Sequence, residues 1–193
     1  MKKLLLSLAL CLPLVPSAQA AIFNFDLIGT AGSGLLPGNE PGSVIGGTGG
    51  EIGAGIFFDN VANLLTINVG WGSSQGFTDL SSLATNSHIH GPTALANGNG
   101  FTQTAGVLFT LTRSSNLVTG GTFTSAPLSL SVSQAADLNA GKFYINLHTA
   151  NNPGGEMRGF LVAAPIPEPA EYAMLLAGLA LVGAIARKRK QTA

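Results

Sequence analysis

Between residues 21 and 163 the chain is written in short alternations of apolar and polar positions, the period-two signature of strands with one buried face. Phe23, Phe25 and Leu27 share one face of a first strand over residues 21–28. Residues 56–59 and 63–71 predict a hairpin. Its second strand turns Leu65, Ile67, Val69 and Trp71 inward, and Thr66, Asn68 and Gly70 outward. Ser87-His88-Ile89-His90 reads as a further strand, stopped by Gly91-Pro92, because proline cannot donate to a ladder and glycine permits a sharp turn. Residues 103–112 place Ala105, Val107, Phe109 and Leu111 on one face, and residues 116–124 add another short strand pair or edge. Residues 143–148 turn Phe143, Ile145 and Leu147 inward and leave Tyr144, Asn146 and His148 on the opposite face; residues 156–162 are the last strand.

The breaks between these strands carry turn chemistry, at Asn97-Gly98-Asn99-Gly100 and at Asn151-Asn152-Pro153-Gly154-Gly155. Residues 29–55 hold eleven glycines and read as loop, with little side chain to bury. One segment has helical character, with Ser133 as N-cap, residues 134–140 as the helix and Gly141 as its stop. The expected fold is therefore all-β: an antiparallel Greek-key β-sandwich or barrel with one short helical insert.

The two ends are apolar for another reason. Lys2-Lys3, an apolar run over residues 4–14 and Ala18-Gln19-Ala20 form a secretory signal peptide, with cleavage expected after Ala20. Its removal takes away Cys11, the single cysteine, which excludes a disulfide, a cysteine nucleophile and a thiolate metal site in the exported protein. At the other end Pro167-Glu168-Pro169 lies in a stiff segment that cannot be helical. Fifteen uncharged residues, 172–186, follow, and then Arg187-Lys188-Arg189-Lys190. As a helix the apolar run reaches roughly 22 Å against a ~30 Å hydrocarbon core, so it spans as a short transmembrane helix only with its basic flanks snorkelling.

This order of motif, apolar helix and basic tail resembles the PEP-CTERM sorting signal of Gram-negative bacteria, over residues 165–190. The resemblance implies a sorting enzyme of the exosortase type, transient anchoring in the inner membrane, and a cell-surface or extracellular-matrix destination. The domain organisation expected is a signal peptide (1–20), a β domain (21–163) and a sorting segment (164–193).

With the ends set aside, residues 21–166 carry three basic side chains, Arg113, Lys142 and Arg158, against seven acidic ones. Phosphate contacts need clustered lysine and arginine, so a nucleic-acid partner is excluded.

The chain has three histidines. Side chains two apart on a strand share a face, so His88 and His90 project together, and His148 comes from another strand with the same outward parity as Asn146. Three imidazoles make a three-nitrogen site for copper or zinc with an open position. The alternative is a hydrogen-bonded role, with each ring donating to a backbone carbonyl or to Asn146, Thr149 or Glu156. Glu156 and Arg158, also two apart, read as an ion pair, or Arg158 as the group that holds Glu156 beside a histidine. Gly72-Ser73-Ser74-Gln75-Gly76 fits the G-x-S-x-G nucleophile pattern, and Ser74, Asp137 and His148 follow hydrolase order. That elbow joins a strand to a crossover helix, and consecutive strands offer none, so no catalytic residue is assigned.

His88-Ile89-His90-Gly91-Pro92, then Tyr144-Ile145-Asn146-Leu147-His148-Thr149, then Asn152-Pro153-Gly154-Gly155-Glu156-Met157-Arg158-Gly159 resemble the CHRD domain, most closely over residues 86–160. Gly34–Pro41 is loosely similar to the family's opening segment. The resemblance implies an antiparallel β domain and supplies no catalytic activity. The H-x-H pair is also similar to the copper strand of copper–zinc superoxide dismutases, although the histidines are too few for that two-metal cluster.

Two functional readings follow. The first is a non-enzymatic exported protein with a structural or binding role at the cell surface, its partner a matrix polysaccharide or protein. The second is a metal-dependent redox or scavenging protein using His88, His90 and His148.

Overall fold

The computed structural model describes residues 22–42, 44–165, 175–182 and 187. The positions expected to form a signal-peptide cleavage site, Ala18 and Ala20, and those of the expected sorting motif, Pro167, Glu168 and Pro169, lie outside the described residues. Of the C-terminal apolar run, residues 175–182 are described and helical. Among the described residues no helix is long and apolar enough to cross a membrane.

The strands in chain order are β1 (Ile22–Gly29), β2 (Gly32–Ser33), β3 (Gly49–Glu51), β4 (Ile56–Asp59), β5 (Leu64–Thr66), β6 (Asn68–Trp71), β7 (Ala84–His90), β8 (Val107–Thr110), β9 (Gly121–Thr124), β10 (Leu128–Ser129), β11 (Tyr144–Thr149) and β12 (Met157–Ala163). All pair antiparallel. The larger sheet runs β10-β5-β4-β1-β12-β11-β7-β8, with β2 added to β1, and the smaller runs β3-β6-β9. One apolar cluster joins them: Phe25, Leu27, Phe58, Ile89, Ile145 and Leu161 come from the larger sheet, and Val69, Trp71 and Phe123 from the smaller. The result is a predominantly β, sandwich-like architecture built by antiparallel pairing, as the alternations predict.

Residues 63–71 do not form one strand. Leu64–Thr66 pairs with β4 in the larger sheet, whereas Asn68–Trp71 pairs with β3 and β9 in the smaller. Ile67 is the corner. Leu65, Ile67, Val69 and Trp71 are all fully buried, so the segment crosses between sheets without changing its inward face. The alternation survives the crossing, and nothing in it marks the break.

Three further local expectations are corrected. The helix spans Val132–Asn139, and its N-cap is Ser131, not Ser133. Ser131 Oγ accepts the Gln134 N–H at 3.2 Å while Gln134 Oε1 accepts the Ser131 N–H at 2.8 Å, a reciprocal capping box. Val107, assigned to an inward face, is exposed, because a bulge shifts the β7–β8 register between Ile89 and His90 and β8 lies at the edge of the sheet. The glycine-rich stretch 29–55 buries more than expected: Leu35, Asn39 and Glu40 are all buried.

The turn at Asn97-Gly98-Asn99-Gly100 forms, but it winds left-handed through Phe101, with φ of 50°, 52°, 52°, 77° and 67° over residues 97–101. Asparagine and glycine tolerate this region, which costs other residues roughly 1–2 kcal/mol each. Gly98 is further required by crowding, since a Cβ there would overlap the Phe160 ring. The reversed winding brings the Phe101 carbonyl onto the outer face of β12, where the candidate site lies.

Candidate metal centre

The core-facing residues of β7 and β11 are Ile89, Ile145 and Leu147. The residues between them face the other way and build the site. His88 stands opposite Asn146, His90 opposite Tyr144, and His148 opposite Asn86, one diagonal step from His88. Asn146 and Tyr144 are in turn flanked by Arg158 and Phe160 of β12. This outer face was expected to be the polar side of the sheet. It is buried instead at Tyr144, Asn146 and Arg158, because loops carrying Asn39, Glu40 and residues 101–105 fold over it.

The three imidazoles meet. One ligating nitrogen from each of His88, His90 and His148 lies within 4.8 Å of the others. His88 Nδ1 and His148 Nε2 are 3.1 Å apart, close to the ~3.3 Å edge of a tetrahedron with ~2.0 Å metal–nitrogen bonds. Two of the rings are held from behind. His148 Nδ1 lies 2.9 Å from the Pro153 carbonyl, and His90 Nδ1 lies 2.9 Å from the Ala105 carbonyl. Donation from Nδ1 leaves Nε2 as the bare nitrogen of a neutral ring, the arrangement found behind ligating histidines. His90 is also stacked on Tyr144, with ring planes 1° apart and centroids 4.8 Å apart.

Electrostatics keep the lone pairs available. Burial lowers the His88 pKa, and the His148, His90 and Arg113 charges push it the same way. Burial also lowers His90, outweighing the hydrogen bond to Ala105 that favours its charged form. His90 Nε2 lies 3.1 Å from Asn146 Oδ1. Two oxygens facing one ring suit an imidazolium; a neutral ring that binds metal through Nε2 gives up the Asn146 contact.

Of the hydrogen-bond partners considered for the histidines, Asn146 is one and Thr149 and Glu156 are not. Thr149 Oγ1 donates to Glu156 at 2.6 Å. Glu156 is fully buried and also accepts from the Gly47 N–H at 2.8 Å, the Ser81 N–H at 2.7 Å, Ser81 Oγ at 2.5 Å and Asn152 Nδ2 at 3.0 Å. Burial alone would raise its pKa; the bonds from Ser81, Thr149 and Gly47 outweigh it and hold the carboxyl below its usual range. Glu156 is thus a tie between three loops.

Arg158 does not pair with Glu156, nor does it hold Glu156 beside a histidine. It reaches the other way, donating Nε to the Asn39 carbonyl at 2.9 Å, Nη1 to Gln103 at 3.3 Å and Nη2 to Phe101 at 2.6 Å. Its guanidinium carbon lies 4.7 Å from the centre of the Tyr144 ring. The two charges separate because their partners lie in different loops, a separation that the i, i+2 spacing does not reveal. The hydrolase constellation is likewise not assembled: Asp137 pairs with Lys142 at 2.9 Å, and His148 bonds Pro153.

Sequence reasoning missed Glu40. It is 7% exposed, and its Oε1 has no hydrogen-bond partner. Burial raises its pKa to about 7, against the lowering effects of the Arg158 charge and the Asn146 amide. It lines a cleft of about 510 Å³ together with His90, Thr104, Tyr144, Asn146 and Pro153. The Gly155 backbone, at φ +133°, lies so close that a Cβ there would overlap the Glu40 carboxyl. Nothing local in Asn39-Glu40-Pro41 distinguishes it from a surface loop.

A pH dependence follows. The folded pKa of Glu40, about 7, lies above its ordinary 4.5, so the folded state binds the proton more tightly than the unfolded one. Its contribution is favourable below pH ~4.5 and is lost as pH rises towards 7, by on the order of 3 kcal/mol. The lowered His88 and His90 pKa values act in the opposite direction in acid. The difference between wild type and Glu40→Gln isolates the effect. Melting temperatures from pH 5 to 8 should show the variant gaining on wild type as pH rises; parallel curves would refute the buried, proton-retaining state of Glu40.

A family model for the CHRD domain matches residues 37–161. The match runs from the turn before Glu40 into β12, and so contains all three histidines, Glu156 and Arg158. No curated protein and no solved structure matches the chain.

Proposed function

The chain belongs to the CHRD domain family, and we propose that it is an exported module that binds one copper or zinc ion through His88, His90 and His148. One observation carries this reading. Three imidazole nitrogens converge within 4.8 Å, and two of the rings are fixed from behind by backbone carbonyls. His88 Nδ1 and His148 Nε2, 3.1 Å apart, either share a proton or are bridged by the metal, and metal content decides between the two.

The role is binding rather than hydrolysis. The Asp137 and His148 side chains are engaged separately, with Lys142 and the Pro153 carbonyl, and Glu156 spends both oxygens on loop donors. A redox or scavenging role is the natural extension of a copper-loaded site with an open position.

Export rests on the sequence of the two ends. Lys2-Lys3, the apolar run and Ala18-Gln19-Ala20 support secretion. Pro167-Glu168-Pro169, the apolar stretch and the basic tail support sorting by an exosortase-type enzyme to the surface or matrix of a Gram-negative bacterium. There the module has a structural or binding role, with a matrix polysaccharide or protein as its partner.

The test is metal content after equilibration with Cu²⁺ or Zn²⁺ and removal of free ion. About one equivalent per chain is expected, falling to background in a His88→Ala/His90→Ala variant with an unchanged circular dichroism spectrum. Equal metal in both proteins would overturn the assignment and leave a module stabilised by its histidines alone.

A further inference from the structure

The cleft beside the imidazole cluster has a feature that metal binding does not use. Glu40 Oε1 is buried and lacks a partner. A buried carboxyl oxygen without a donor is costly, and the Glu40 side chain lines a cleft whose volume falls in the usual range for small-molecule sites. From this we infer that the cleft is a saccharide subsite, taking a neutral polyhydroxy ligand of about monosaccharide size, with a ligand hydroxyl donating to Glu40.

The chemistry of the walls selects this class. Among the described residues lining the cleft none is lysine or arginine, so an anionic ligand finds no counter-charge there. A cationic ligand is disfavoured too, because the charge facing Glu40 is already supplied by Arg158. What remains is a neutral donor. Pro41, Val44 and Pro153 offer short apolar surfaces, while Thr104, Asn146 and Asn152 carry hydroxyl and amide groups. That mixture matches a pyranose, which presents C–H faces and hydroxyl edges. Thr104 is exposed and stands at the rim.

This site adjoins the metal centre and shares His90 with it, but not His88 or His148. His88 does not line the cleft, and the His148 ring is held behind the Pro153 carbonyl. A His88→Ala/His148→Ala variant therefore loses metal and keeps saccharide binding, so the two proposals fail separately.

The experiment is a backbone amide NMR titration of the protein with glucose, galactose, N-acetylglucosamine and their short oligosaccharides, with ethanolamine and acetate as charged probes. Saturable shifts centred on Glu40, Asn146 and residues 151–155 are expected with at least one saccharide, at millimolar dissociation constants. Loss of the carboxyl group in Glu40→Ala should weaken binding about tenfold or more. Thr104→Trp, which fills the mouth from its exposed rim, should abolish binding without touching the buried network. It serves as the test if Glu40→Ala does not fold. Absence of saturable shifts with every saccharide, preference for ethanolamine or acetate, or saccharide binding that Thr104→Trp leaves unchanged would each overturn the inference.

Discussion

Replacing Arg158 by methionine is expected to destabilise the fold by about 3–5 kcal/mol, among the largest effects of any single substitution in this chain. The side chain is 1% exposed and donates to three backbone carbonyls, those of Asn39, Phe101 and Gln103, in two loops otherwise distant in sequence. Methionine fills much of the volume but supplies no donor. Three buried carbonyls then lose a charged partner, and each such loss costs about 1–3 kcal/mol. The cation–π contact with Tyr144 goes as well. Part of the cost is recovered if the loops open to water, which is why the total lies below the sum. That opening has a second consequence. The same loops carry Glu40 and Ala105, and Ala105 holds His90. A folded Arg158→Met protein should therefore bind metal more weakly as well. Chemical denaturation read beside metal affinity checks both; a change under 1 kcal/mol with wild-type affinity would show that Arg158 does not organise this face.

His148→Ala is expected to lower copper or zinc affinity by more than about a hundredfold while changing stability little. Disturbing a group behind a ligand already costs roughly 10–100-fold, and removal of one of three ligating rings costs more. His148 is only partly buried, and its anchor is the Pro153 carbonyl at a turn, so truncation leaves no deeply buried orphan. The contrast with Arg158→Met separates a ligand from a structural group. Competition titration against a chelator of known affinity measures it; affinity within threefold of wild type would remove His148 from the site.

Much of this arrangement was legible in the chain. The alternation through Phe25 and Leu27, and again through Ile145 and Leu147, identifies inward faces that are fully buried or nearly so. The same alternation places His88, His90 and His148 on outward faces, and the pairing of β7 with β11 then brings them together. Two kinds of information were not local. The crossing at Ile67 leaves no mark, because inward parity continues from one sheet to the next. The partners of buried charges are set by loops over a hundred positions away: Glu156 meets Gly47, and Arg158 meets Asn39. Glycine-rich composition says that residues 29–55 are irregular, and it does not say that they fold onto the outer face and bury Glu40 there. The helix start was a smaller miss. Ser131 and Gln134 have capping-box spacing, but the intervening Val132 is exposed and reads as apolar sequence outside the helix.

The claim on which the account turns is that three histidine nitrogens hold one metal ion. X-ray absorption spectroscopy of the protein loaded with one equivalent of Zn²⁺ or Cu²⁺ counts those nitrogens directly. The account predicts a first shell at about 2.0–2.1 Å with the outer-shell scattering of three imidazoles, reduced to two in His148→Ala. A first shell of oxygen donors, without imidazole scattering and unchanged in the variant, would contradict it.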